Sequence, residues 1–200
     1  MKPAKFLGVI SPIPQRQSRH HYTYAEYLAY ERDSGLKHEY DGGEILAMAG
    51  GSRRHNALAS RISAALEAGR KPGCVAFQSD QKVRVLATGR ATYPDASLVC
   101  GPLEGDPADT SGQTVTNPSL IVEVLSASTE DEDRGSKWHY YQLIPSLSEY
   151  VLVSQTHPRI EHYRRLESGL WEYRDATAGT VGLGCGATLD IASLYAELPD

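Results

Sequence analysis

Between Ser119 and Leu125 the chain reads Ser-Leu-Ile-Val-Glu-Val-Leu, an apolar run broken by a single carboxylate, Glu123. A run this short, bounded by Pro118 and by the polar Ser126-Ala-Ser-Thr129, reads as a buried strand and as the centre of a sheet. A second such run, Tyr93-Pro-Asp-Ala-Ser-Leu-Val-Cys100, repeats the arrangement with Asp95. A carboxylate on a buried strand is costly to desolvate unless a cation stands beside it. The rest of the chain must therefore bring a divalent metal or a lysine to these two acids, and it has room to add a third acid. The polar run after Thr129 contains one lysine in reach, Lys137.

A chain of 200 residues suits one domain with a full core. With 40% hydrophobic and 22% charged residues, it has the make-up of an ordinary globular protein. Its three cysteines, Cys74, Cys100 and Cys185, show no C-x-x-C spacing. That argues against a zinc site and against a disulfide framework, and for a reducing compartment. The apolar run Phe6–Ile10 is closed by Ser11-Pro12 and is too short for a signal segment. No stretch approaches the roughly 20 apolar residues of a membrane helix, so a cytoplasmic protein with no membrane partner is expected. A net charge of −5 counts against a surface built throughout for phosphate backbones. Basic residues do cluster locally, at Arg53, Arg54, Arg61, Arg70 and Lys71, where they read as a solvated helix face.

Residues 1–22, broken by Pro3, Pro12 and Pro14, read as an irregular arm before a single domain over residues 23–200. Thr23 and Glu26 form a capping box for a helix ending at Gly35. Residues 36–48 read as a hairpin through Asp41-Gly-Gly, with Lys37, Glu39 and Asp41 on one face. Ser52 caps a helix over residues 53–69 with an apolar stripe at Leu58, Ile62 and Leu66. Strands are expected at 74–78 and 82–86, joined tightly around Ser79-Asp80, and at 95–100. Residues 101–118 read as a loop. The acidic Glu130-Asp-Glu opens a helix carrying Lys137 and Tyr141 and stopped by Pro145. A strand at 149–154, a hairpin over 159–174, and a short strand with a helical turn near the C-terminus complete an α/β domain with a mixed sheet.

Ile121, Glu123 and Leu125 share one face of their strand. Nucleases that cut phosphodiesters with Mg2+ often set an Asp on one strand and Glu-x-Lys on the next. Two carboxylates hold a hard cation through oxygen, and the lysine orients or polarises water. Here Leu125 stands where the lysine would be, so the simple form is absent. Lys137 can substitute from the following helix, with Asp133 and Tyr141 on the same helix face. The competing reading is a surface lysine paired with Asp133.

These residues carry a resemblance. Asp-Gly-Gly-Glu-Ile follows Glu39-Tyr40, His55 opens a helix, and Tyr-Pro-Asp95 follows. Then come Ile-Val-Glu123-Val-Leu-Ser-Ala-Ser-Thr with Asp133, Lys137 and Tyr141, and finally Pro-Ser-Leu-Ser-Glu-Tyr-Val-Leu-Val. Over roughly residues 23–195 this resembles the Uma-type restriction endonuclease family, within the PD-(D/E)XK nuclease superfamily. The resemblance implies a restriction-endonuclease-like fold, a mixed β-sheet flanked by α-helices. It also implies a metal site from Glu39, Asp95 and Glu123 for Mg2+ or Mn2+, with Lys137 replacing the missing lysine. Glu44, across the hairpin turn, competes with Glu39 as third acid. His55 and Tyr141 are expected to support the site from behind, or His55 to make only a local hydrogen bond. Ser126 and Ser128 are read as helix caps, with donation to a phosphate as the alternative. The stretch Tyr141-Gln-Leu-Ile-Pro-Ser-Leu-Ser-Glu-Tyr150 departs from the family's Tyr-x-x-Gly-Val-Pro-Glu-Tyr pattern, so a different loop is expected before residue 149.

Two functions of different class follow. One is a metal-dependent DNA endonuclease, expected by resemblance as a homodimer. The other is an inactive or altered nuclease fold that works as a nucleic-acid or protein interaction module, favoured by the acidic charge. A Ser or Cys hydrolase has little support, since no Gly-x-Ser-x-Gly elbow is present.

Overall fold

A computed structural model describes residues 20–48 and 50–199. Of the expected N-terminal arm, residues 1–19 lie outside the described residues; Tyr22 donates its N–H to the Gly43 carbonyl at 2.8 Å. Helix α1 (Tyr24–Ser34) starts at the expected capping box, with both reciprocal bonds between Thr23 and Glu26 present. It ends at Gly35 in left-handed backbone. Strands β1 (His38–Asp41) and β2 (Glu44–Ala47) pair antiparallel. Gly42 and Gly43 both take positive φ, 55° and 92°, as a tight hairpin turn requires.

Helix α2 (Arg53–Gly69) buries Leu58, Ile62 and Leu66, the stripe its spacing predicts. Then come β3 (Cys74–Gln78), β4 (Lys82–Val85), β5 (Arg90–Thr92), β6 (Ala96–Cys100), β7 (Thr114–Val115) and β8 (Leu120–Leu125). A continuous helical segment follows: α3 (Glu130–Glu132), a π turn (Asp133–Lys137) and α4 (Trp138–Tyr141). Strands β9 (Glu149–Ser154), β10 (Ile160–Arg165), β11 (Trp171–Ala176), β12 (Thr180–Gly182) and β13 (Thr188–Asp190) lead to α5 (Ile191–Tyr195).

Among the described residues the strands form three sheets rather than the single mixed sheet expected. A six-stranded sheet runs β11-β10-β9-β8-β6-β3, a five-stranded sheet runs β2-β1-β5-β4-β7, and β12 pairs with β13. Strands β3 and β4, read from sequence as close neighbours, belong to different sheets, so the Ser79-Asp80 turn carries the chain from one to the other. The expected loop at 101–118 contributes β7, parallel to β4. Strand β8 is interior, antiparallel to β6 and parallel to β9 through the helical crossover.

One core lies between the six-stranded sheet and α2, α5 and the β12–β13 pair, where Val122, Val124, Val151 and Val153 meet Leu58 and Ile62. A second core lies on the opposite face, where Ile121, Leu125, Tyr150 and Leu152 meet Val83 and Val85 of the other sheet and Tyr141 of α4. Trp138 stacks on Tyr150 at 5.4 Å and 6°, which presses the crossover helix onto this second face.

The sequence argued against disulfides, yet Cys74 and Cys100 are bonded. The two lie directly opposite in the β3–β6 register, a proximity that spacing along the chain does not reveal. Cys185 is buried and free.

Candidate active site

Glu123 leaves β8 on the face it shares with Ile121 and Leu125, toward the gap between the two large sheets, and is 3% exposed. Asp95 immediately precedes β6. The register Ala96↔Val122 sets it beside Glu123. The Asp95 N–H donates to Glu123 Oε2 at 3.3 Å, and the Val124 N–H donates to Asp95 Oδ2 at 2.7 Å. Both side chains line one cavity of about 570 Å3. Glu39 enters the same cavity from β1, whereas Glu44 lies outside its lining. Lys137 enters from the π turn. Its Nζ stands 3.5 Å from Glu39 Oε1, 3.5 Å from Glu123 Oε1 and 3.1 Å from Asp133 Oδ1. The surface reading of Lys137 is therefore wrong: it does pair with Asp133, but it is 7% exposed.

The charges do not balance locally. Glu123 is raised to about 8: burial is the main cause, Lys137 draws it down, and Asp133, Asp95 and Glu39 add to the rise. Asp133 is also raised, chiefly by burial. Burial would raise Glu39 too, but Lys137, the Thr92 hydroxyl and Arg90 outweigh it and hold Glu39 below its ordinary value. Burial would likewise lower Lys137, but Glu123, Glu39 and Asp133 keep it well above the usual range. A set of oxygen donors around a shared cavity, with its central carboxylate kept from ionising by burial and then by like charge, suits a hard divalent cation. Among the described residues, however, no three His, Cys, Asp or Glu side chains already converge as a cage. The Lys137 ammonium stands between Glu39 and Glu123. Asp95 is meanwhile turned to His55, whose Nε2 is 3.2 Å from Asp95 Oδ2.

The supporting residues divide into those the sequence pointed to and those it did not. Tyr141, fully buried, donates to Glu123 Oε1 at 3.0 Å. His55 is placed by α2's first turn, where Ser52 caps its N–H, and its hydrogen bond to Asp95 raises its pKa. Arg90 was missed. It is 1% exposed, and its guanidinium bonds Glu39 at 3.3 Å, Asp41 at 3.1 Å and Glu132, with Tyr140 beneath it. Thr92 was missed as well; its hydroxyl donates to Glu39. The available signal was Thr88-Gly89, a turn after Lys82–Val85 that makes Arg-Ala-Thr a returning strand. Ser126 and Ser128 do not cap the helix through their side chains: Thr129 holds the cap position without a side-chain bond, and the Ser126 carbonyl accepts the Glu130 N–H at 2.9 Å.

Residues 24–190 match the family model Uma2, described as "Putative restriction endonuclease". Two uncharacterized proteins of Synechocystis sp. are 41% and 38% identical over 150 and 151 residues. Those matches cover 73% and 74% of this chain and 75% and 84% of theirs. A crystal structure from Anabaena variabilis, described as "a putative nuclease belonging to DUF820", superposes with a TM-score of 0.64 at 18% identity. That superposition covers 82% of this chain and 93% of the other. At that identity the likeness is one of fold, and it bears out the restriction-endonuclease-like α/β architecture.

Proposed function

The chain belongs to the Uma2 family, "Putative restriction endonuclease", and on that footing we propose that it hydrolyses DNA phosphodiester bonds with Mg2+ or Mn2+. The observation that carries this reading is the meeting of Glu39, Asp95, Glu123 and Lys137 from separate elements around one cavity. Glu39, Asp95 and Glu123 would hold the cation, which supplies positive charge against phosphate oxygens and lowers the pKa of water. In this reading the Lys137 ammonium, 3.5 Å from both Glu39 and Glu123, would serve the phosphate or the attacking water as a fixed positive charge. Tyr141 fixes the Glu123 carboxylate through its hydroxyl, and His55 fixes Asp95. Such supports keep ligating oxygens oriented.

Plasmid DNA incubated with Mg2+ or Mn2+ tests the proposal. Asp95→Ala and Glu123→Ala are each expected to lower cleavage at least about 100-fold. Cleavage that survives either change overturns the assignment. We also propose a homodimer, which would supply two sites for double-strand cleavage; mass photometry showing only monomer would remove that part. The interaction-module alternative draws on one observation, the lysine standing where a cation would go. Measurable Mn2+ affinity at the acids counts against it.

A further inference from the structure

A second cavity, of about 820 Å3, lies among α1, the turn before β4 and the loop of residues 108–113. Tyr93 lines both this cavity and the one holding the acids. Within its wall is Lys82, the first residue of β4, only 3% exposed. Its ammonium lies over two tyrosine rings, 5.0 Å from the centre of Tyr27 and 5.6 Å from that of Tyr93. Among the described residues it makes no ion pair and no hydrogen bond. The carboxylates whose charge reaches it are Glu31, Asp109 and Asp106. All three are satisfied elsewhere. Glu31 accepts the His38 N–H at 3.1 Å and the Tyr93 hydroxyl at 2.9 Å. Asp109 accepts the Ser111 N–H at 3.0 Å and the Thr114 hydroxyl. Asp106 accepts Arg84 at 2.8 Å.

Burial pushes the Lys82 ammonium down, and those carboxylates only partly restore it. A buried cation without a hydrogen-bonded anion is costly, and replacing one by an apolar side chain of similar volume is often stabilising. Lys37 brings a second ammonium to the same cavity, 5.6 Å from the Tyr93 ring and paired with Asp80 at 3.0 Å. Tyr93 stands two residues before Asp95 and lines both cavities, so the two share a wall.

We propose that this second cavity takes a phosphate of the nucleic-acid strand adjacent to the one being hydrolysed, with Lys82 as its anchor. The proposal rests on the nuclease reading and names where the strand runs. It is tested with a fluorescent oligonucleotide, full-length protein and EDTA to prevent cleavage, titrated at several salt concentrations. Lys82→Met is expected to weaken binding about tenfold. The slope of log affinity against log salt should fall by about 0.7–0.9, one phosphate contact. Lys82→Arg should keep the slope, and Lys82→Met should melt no lower than the wild type. Affinity and slope unchanged in a folded Lys82→Met overturn the proposal. Calorimetric binding of inorganic phosphate that Lys82→Met abolishes, with oligonucleotide affinity unchanged, assigns the cavity to a free phosphate and overturns it too. Cleavage separates the two readings. A protein that does not cut but shows the Lys82-dependent slope removes only the nuclease function, and one that cuts without that slope removes only this subsite.

Discussion

Glu123 is held between one ammonium and three carboxylates, and its titration should be visible in stability. Its folded pKa, about 8, lies above its ordinary 4.5. Folding therefore favours its neutral form. That contribution is complete below the unfolded value and is lost as pH rises through the folded one. The metal-free protein should lose thermal stability between about pH 5 and about pH 9, through Glu123 together with the coupled Asp133. Glu123→Gln should remove most of that loss, so its melting temperature should exceed the wild type's by about 5 °C or more at about pH 9. Equal pH profiles would show that the carboxylate is not under this strain. Asp95 and Glu123 were legible because a charged residue in an apolar strand stands out, whereas Glu39, and Lys137 over its surface reading, were picked out through the family resemblance. Arg90 was not, because what makes it matter comes from β1 and α3 and from no neighbour in the chain.

At the scale of elements, Arg90 fastens the β1–β2 hairpin, which carries Glu39, to the helical segment that carries Lys137. Removing one partner from a buried ionic network costs about 3–5 kcal/mol. Arg90→Met is expected to lower the melting temperature by about 6–20 °C. Lysine should restore only part, since it lacks the planar fork that bonds several carboxylates together. A variant melting within a degree or so of the wild type would deny Arg90 that role. The Cys74–Cys100 bond ties β3 to β6 across 26 residues. A loop of that length predicts about 3.5 kcal/mol of stabilisation. Reductant should therefore lower the melting temperature by about 6–12 °C, and an unchanged melt would mean the bond contributes nothing. Most element boundaries could be read locally, from Thr23–Glu26 and Gly35, from the paired glycines and from the α2 stripe. Sheet membership could not. Strands β3 and β4 are separated by three residues yet lie in different sheets, because register with distant strands decides the matter.

For the whole molecule, two cores on opposite faces of the six-stranded sheet leave the charged side chains of Glu39, Asp95, Glu123 and Lys137 together at the edge of the second core. A net charge of −5 gives no global attraction for DNA. The proposed DNA substrate would therefore have to be held by local cations and by the proposed metal. Among the described residues no helix is long and apolar enough to cross a membrane. In the proposed function these acids make a divalent-cation site whose place is kept by Lys137. Calorimetric titration of Mn2+ into the wild type, Asp95→Asn, Glu123→Gln and Lys137→Met tests it most directly. The wild type should bind saturably, with binding weakened at least about tenfold in either acid variant and tightened in Lys137→Met, where no ammonium competes. No Mn2+ binding by the wild type, or binding indifferent to all three changes, would contradict it.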